Sequence, residues 1–313
     1  MQTRKIGAHV SVSGGLYKAI ERASKIGANC VQLFSGSPRV WKRKDLTEFN
    51  TLKLFSKQKE LAVDPIFIHS LYLINLASNK PELLEKSFNA LKYDLEFDSL
   101  VKGSGIIVHL GSHQGRGWES AREQVVQQIA GLLSVTPRDS TFLIENSAGQ
   151  NGKLCSNLEE IRWLMDRVFE LGGEKSNFLM NMFKKRLGWC FDTCHAHAAG
   201  YALGENRNFR VETEKTHIIL KNSFMKKTAL EEITALKLWS TLKCIHVNDS
   251  KDDFNSGRDR HANLGEGNIP TEDFIYFLNY KKILKIPLLL EVPGLDKNGP
   301  DAHNIAILKD YCK

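Results

Sequence analysis

Eight short apolar runs punctuate the chain: Ile6–Val10, Cys30–Phe34, Ile66–His69, Ile106–His109, Phe142–Glu145, Cys190–Asp192, Cys244–Val247 and Leu288–Glu291. Each is strand-length, rich in Val, Ile, Leu and Phe, and followed by polar residues and then a segment with helical spacing. The clearest helix is Pro81–Leu100, where Leu84, Phe88, Leu91 and Leu95 return at steps of four, three and four behind a proline suited to the first turn. Eight strand-helix units in 313 residues describe an α/β protein of (β/α)8 barrel type, a TIM barrel forming a single domain over residues 1–313. Leu171–Lys185, with its Gly-Gly and two Asn, reads as an extended loop before the sixth strand, and Asn248–Pro270 as a long polar connection after the seventh. A doubly wound two-domain protein is the alternative, but no Gly-x-Gly-x-x-Gly follows the first strand.

The runs end in a way that changes the picture. The third closes on His69, the fourth on His109, the fifth on Glu145, the sixth on Asp192, the seventh on His246 and the eighth on Glu291. A barrel brings its strand ends to one face around one axis, so these six converge. One such residue is most simply a satisfied polar group, but that explanation must succeed six times independently. Asp192 lies three residues before His195, at the point where a strand should give way to a helix. The pair reads either as an N-capping Asp beside a hydrogen-bonded His, or as ligands of one metal or two adjacent ones. In the long polar connection Asp259 and His261 are two apart, so an extended backbone projects both side chains the same way. With His195 they make a three-ligand set with room for water or a phosphate oxygen, as a catalytic zinc requires. His9, His113, His197, His217 and His303 are left to structural or supporting roles.

Composition narrows the chemistry. The net charge of +7 favours an anionic partner, and nucleic acid is a candidate. Arg39-Val40-Trp41-Lys42-Arg43-Lys44 follows the second strand on the face where the ligands gather, and mixes cations with an aromatic, although a solvated charged loop would look the same. The six cysteines form no C-x-x-C pair and mostly sit in apolar runs, so they read as reduced core thiols, leaving any metal to His and carboxylate. No apolar leader or membrane-length run is visible, which places the expected site of action inside the cell, in the cytoplasm. Several metal ions held by His and carboxylate, with one carboxylate shared, suit hydrolysis of a phosphodiester, because paired ions activate water and neutralise charge on the phosphate and the leaving oxygen.

Six segments together resemble the endonuclease IV family of apurinic/apyrimidinic endonucleases. They are Gly7-Ala8-His9-Val10-Ser11, His69-x-x-Tyr72-Leu73-Ile74-Asn75-Leu76, Ile144-Glu145-Asn146-Ser147-Ala148-Gly149-Gln150, Phe191-Asp192-Thr193-Cys194-His195, His246-Val247-Asn248-Asp249-Ser250-Lys251 and Asp259-Arg260-His261-x-x-Leu264-Gly265-Glu266-Gly267, in order over nearly the whole chain. The resemblance implies a TIM barrel with three zinc ions, manganese being able to substitute. Carried over by motif, His69, His109 and Glu145 would hold the first ion, Glu145, Asp192, His246 and Glu291 the second, and His195, Asp259 and His261 the third, with Glu145 as the bridging, catalytic carboxylate. It implies cleavage of duplex DNA 5′ to an abasic site in base excision repair, leaving a 3′-hydroxyl, together with removal of 3′-blocking groups, by a monomer. Arg39, Tyr72 and Leu73 match the positions that wedge into the duplex. Leu110 stands where the family often has proline, His197 replaces a common aromatic, and Leu171–Lys185 looks longer than usual, which bears on the rim. The runner-up is a divalent-metal sugar isomerase or epimerase of the related barrel group, which has no evident need for Asp259-x-His261 or for Arg39, Tyr72 and Leu73. A nucleic-acid-binding module with structural metals fits less well, because structural zinc sites are closed and often thiolate-rich.

Overall fold

The computed structural model describes residues 4–205, the strand pair 210–213 and 216–219, and 228–313; the His217 side chain lies outside the described residues. Eight parallel strands close into a barrel in which each is bonded to its neighbours in chain order and the first pairs with the last. They are Ile6–His9, Cys30–Phe34, Ile66–His69, Ile106–Val108, Phe142–Glu145, Leu187–Asp192, Leu242–His246 and Leu288–Leu290. The sixth and seventh begin earlier than the apolar pattern suggested, because Trp189 and Leu242 are buried against the helices while a register shift at Trp189/Cys190 absorbs the extra residues. His109 and Glu291 fall one residue past their strands.

Strand periodicity sorts each run into two faces. One face packs against the surrounding helices as the main core; the other fills the barrel, where Cys30, Phe67, Ile107, Leu143, Cys190, Cys244 and Leu289, one from each of the second to eighth strands, form a separate apolar plug. The first strand contributes Gly7 at this level, where an added Cβ would lie 2.2 Å from the carbonyl oxygen of Cys30. Three of these plug residues are thiols, and all six cysteines of the chain are free, five of them fully buried.

The expected extended loop at Leu171–Lys185 is helical instead. The Leu158–Lys175 helix runs through the Gly-Gly pair, and a second helix, Asn177–Arg186, folds back on it. Ser176 ends the first and caps the second, its hydroxyl accepting from the Leu179 amide. Gly172 reads like a breaker in sequence but serves the crossing: a Cβ there would sit 2.8 Å from Phe183. This insertion connects a helix to the strand that follows it, so it lies at the N-terminal end of the barrel, opposite the ligand face, and cannot shape that face's rim. Among the described residues no helix is long and apolar enough to cross a membrane.

Candidate metal centre

Two residues beyond each plug position, strand alternation raises a second inward layer: His9, Gln32, His69, His109, Glu145, Asp192, His246 and Glu291, one from each strand or, for His109 and Glu291, from the residue just past it. All are polar. The layer sits on apolar residues below and opens toward the cleft above, so its charges interact in surroundings poor in water. Gln32, Asp192 and His246 are fully buried and Glu145 nearly so. Six of the eight are the strand-end ligands expected from sequence; His9 and Gln32 are additions. Gln32 bonds Glu291 through Nε2 at 2.5 Å and accepts from His246 Nε2 through Oε1 at 2.6 Å, and His9 lies 3.6 Å from Glu291. A glutamine inside the otherwise apolar run Cys30–Phe34, in phase with the ligand positions of neighbouring strands, was the available signal for it.

Glu145 is the hub. Its Oε2 faces Nε2 of His69 at 3.4 Å and of His109 at 3.2 Å, while Oε1 faces Nδ1 of His246 at 2.9 Å. Oε2 is buried and has no hydrogen-bond partner. The rings are turned so that one nitrogen of each faces the carboxylates while, in most, the other is engaged outward: His69 Nδ1 donates to the Ser70 carbonyl, His195 Nδ1 to the Asn146 carbonyl, and His246 Nε2 to Gln32. Outer partners of this kind fix the tautomer that leaves the inner nitrogen as a lone-pair donor.

Asp192 is an N-cap, one of the two roles its sequence allowed, and its other oxygen lies among the histidines. It caps the Thr193–Ala198 helix, Oδ1 accepting from the His195 amide at 2.8 Å, and it also lies in the ligand layer, with Oδ2 3.7 Å from His246 Nδ1 and 3.8 Å from His261 Nε2. Capping uses Oδ1 and leaves Oδ2 turned toward the two histidines, so the cap does not remove the side chain from the donor layer. Asn146 and Asn248 secure it: Asn146 accepts from the Asp192 amide and donates to its carbonyl, and Asn248 donates to Oδ2 at 2.6 Å while accepting from the Glu291 amide.

Asp259 and His261 come from the long connection, as expected. That connection is ordered around Asp249, whose carboxylate accepts from the amides of Gly265, Gly267 and Ile269 at 3.0–3.1 Å. At Gly267 a Cβ would lie 2.4 Å from that carboxylate, so the turn requires glycine. The loop carries Asp259 Oδ1 to 3.0 Å from His195 Nε2 and 3.4 Å from His261 Nε2, and the latter nitrogen is buried without a hydrogen-bond partner. Thus three sets of donor atoms each converge within 4.8 Å: His69, His109 and Glu145; Glu145, Asp192, His246 and Glu291; and His195, Asp259 and His261. Hard oxygen and imidazole donors, with orphaned atoms facing inward, fit divalent cations. Cys190 also comes within this distance of Glu145 and His246, and Cys194 of Asp192 and His261, but burial pushes both thiols far up, the charged neighbours adding to it.

Without a cation the layer balances its own charge. Burial disfavours the ionised carboxylates, yet the imidazoles outweigh it and hold Glu145, Glu291 and Asp259 well below the usual carboxylate range. Burial likewise opposes protonation of His246, but Glu291 and Glu145 raise it to about 10; Asp192 and Asp259 raise His195 in the same way. Both rings are therefore pushed toward the protonated form, and a cation must displace the added proton from the nitrogen that faces the carboxylates. Metal binding is expected to release protons and to tighten as pH rises. Calorimetric titration in buffers of different ionisation enthalpy checks this, and an observed enthalpy independent of the buffer would contradict it.

The residues expected at the DNA surface separate. Arg39 is exposed, and Tyr72 is 59% exposed with its ring edge-on to Phe34 at 5.5 Å; both line an open cleft of about 960 Å³ that reaches down to His261 and Glu291. Leu73, expected to be exposed beside Tyr72, is only half-exposed and packs on the main core, because the chain turns there into the buried Ile74-Asn75-Leu76 segment. The basic run after the second strand is not one cationic surface either. Arg43 turns inward to Asp94, and Lys44 pairs with Glu48, leaving Arg39 and Lys42 outward. His197 is buried, edge-on to Phe254, and away from the three ligand sets.

The pattern of the family described as xylose isomerase-like TIM barrel matches residues 20–311. The chain is 34% identical over 305 residues to a protein of Halothermothrix orenii named probable endonuclease 4, covering 97% of this chain and 99% of that one. The crystal structure of endonuclease IV from Thermus thermophilus superposes with a TM-score of 0.76 at 27% identity, over 99% of this chain and 98% of that one. A D-tagatose 3-epimerase-like protein superposes with a TM-score of 0.64 at 18% identity, over 98% and 96%, a likeness of fold alone.

Proposed function

This chain belongs to the endonuclease IV family within the xylose isomerase-like TIM barrels, and from that premise we propose that it is a zinc-dependent endonuclease cleaving duplex DNA 5′ to abasic sites to leave a 3′-hydroxyl. It also clears 3′-blocking groups, and works as a single-domain monomer within the cell. The enzyme is a nuclease of DNA repair. The observation that carries the finer reading is the division of labour in Glu145, one oxygen toward His69 and His109 and the other toward His246. One carboxylate shared between two donor sets is the arrangement that paired ions need.

His69, His109 and Glu145 would hold one zinc ion, Glu145, Asp192, His246 and Glu291 a second, and His195, Asp259 and His261 a third. Such ions supply an activated water and neutralise charge on the phosphate and the leaving oxygen. The chain's own residues do the rest. Gln32, Ser70 and Asn146 hold the rings in register, the apolar plug beneath keeps water from the underside, and the cleft lined by Arg39 and Tyr72 receives the backbone at the lesion. Tyr72 enters the duplex with Arg39 and fills the space opened there, with Leu73 packed beneath it at the edge of the core, because unstacking costs least where a base is already missing. The third donor set and the wedge favour this reading over a sugar epimerase on the same barrel.

Duplex carrying one abasic site should be cut by the protein as purified and spared after treatment with a strong chelator, with activity restored by zinc. Cleavage that survives complete metal removal would refute the reading, and turnover of a ketose with none of DNA would favour the epimerase. Tyr72→Ala is expected to weaken binding to abasic duplex by about tenfold, one stacked aromatic, and binding to undamaged duplex far less. Equal loss on both, measured by fluorescence anisotropy, would point to general electrostatic attraction. Since Leu73 is half-buried, Leu73→Ala should lower stability as well, and Tyr72→Ala is the cleaner probe.

A further inference from the structure

The Pro81–Leu100 helix presents two polar residues to the loop that carries Arg39, and neither belongs to the metal layer. Asp94 is fully buried. Its Oδ1 accepts from the Ser35 hydroxyl at 2.6 Å and lies 3.7 Å from Arg43 Nη2. The Arg43 guanidinium sits 5.7 Å from the Tyr93 ring centre, and its Nη1 donates to the Ser37 carbonyl at 3.3 Å. The Tyr93 hydroxyl donates to the Lys44 carbonyl at 2.8 Å. The loop is therefore held at its start by Ser35, in its middle through Ser37, and at its end by Lys44. Between these points Pro38 accepts from the Tyr72 amide at 3.2 Å, tying the loop to the segment that carries the exposed tyrosine.

This arrangement is a poor way to gain stability. Asp94 Oδ2 and Arg43 Nε are buried with no hydrogen-bond partner. Burying an ion pair costs desolvation that its attraction often fails to recover, and an apolar pair of similar volume commonly serves stability as well or better. What polar groups supply that apolar ones cannot is direction, here through the Ser35 hydroxyl on Asp94 and the Ser37 carbonyl on Arg43. We propose that Asp94, acting through Arg43 and Ser35 with Tyr93 beside it, is a positioning residue that sets the height and register of the Arg39 loop over the cleft and so determines selectivity for damaged over intact duplex. This rests on the reading of Arg39 and Tyr72 as DNA-contacting residues. Burial lifts the Asp94 carboxyl to about 6, with Arg43, Ser35 and the more distant charge of His69 opposing the rise.

The test compares full-length wild-type protein with the paired variant Asp94→Leu/Arg43→Met, which replaces the polar contact by apolar volume. Three quantities are read: melting temperature, metal content, and the ratio of dissociation constants for undamaged and abasic duplex. The paired variant should melt near the wild type and keep its metal, while the ratio falls about tenfold, the ordinary size of coupling between contacting groups. KM on abasic duplex should rise by a similar factor with kcat at saturation changed by less than about twofold. Adding Arg39→Ala to the paired variant should cost much less than adding it to the wild type, because the arginine is already displaced. An unchanged ratio, or a fully additive loss on adding Arg39→Ala, overturns the proposal. Should the paired variant unfold, Tyr93→Phe decides, since it deletes only the hydroxyl on Lys44: a reduced ratio with normal melting supports the positioning role, and an unchanged ratio overturns it. A wild-type protein with no preference for abasic duplex would instead overturn the functional reading on which the proposal rests.

Discussion

Glu145→Gln is expected to lower kcat on abasic duplex by at least about a thousandfold, or about 4 kcal/mol of transition-state stabilisation. The carboxylate lies 3.4 Å from His69 and 3.2 Å from His109 through one oxygen, and 2.9 Å from His246 through the other. An amide of the same shape has only one oxygen and no charge. It can serve one donor set but turns an N–H toward the other, where a cation is to be held, and it leaves two neighbouring cations without the charge between them. The change should also cost metal, lowering the content of purified protein by at least one equivalent, while the apolar plug below keeps the barrel folded. Steady-state kinetics and elemental analysis of the same preparation check both parts, and near-normal cleavage would sink the assignment of this residue.

The second large effect belongs to the loop. Asp259→Ala should lose one metal equivalent and roughly a hundredfold or more in kcat, with melting temperature little changed. The reason for the split is where the ligand sits. Asp259 hangs from a connection anchored by Asp249 and by the pairing of Arg260 with Asp252, so removing its side chain leaves the loop's own supports in place. His195 and His261 would then lose the carboxylate oxygen that faces both of their Nε2 atoms, and two imidazoles alone hold a cation less tightly than two imidazoles and an anion. Lys153, 3.5 Å from the second oxygen of Asp259, would lose that partner too and leave its positive charge uncompensated beside the site, which disfavours a cation there. Metal content equal to that of the wild type would mean that the third donor set is not a site.

Local pattern carried much of this protein. A strand signal depends only on residues a few positions apart, so the eight units and their order were legible directly, and the alternation that separates the apolar plug from the polar layer is written into each run. The convergence of six strand-end polar residues in one layer followed because a barrel converts a repeated local position into a ring. The same rule could have supplied Gln32 and His9, which occupy that position in the first two strands but are not followed by the clean strand ends that drew attention elsewhere.

What depended on partners far apart in sequence was decided only by the tertiary structure. Gly-Gly at 172–173 signals a break locally, yet the approach of Phe183 from the next helix makes the small residue a contact, so the expected loop became two helices. Arg43 looked like one more cation for a polyanion, but a buried carboxylate 51 positions away on the Pro81–Leu100 helix turned it inward. Leu73 was taken from an exposed pair into the edge of the core by the segment that follows it. Which oxygen of Glu145 faces which histidine, and which nitrogen each ring offers, likewise had no trace in the order of residues. The chain's own order set where the polar groups fall along each element, because that is a matter of backbone period; the pairing of those groups was set by the closed barrel, because a buried polar atom takes whatever partner the fold brings within reach.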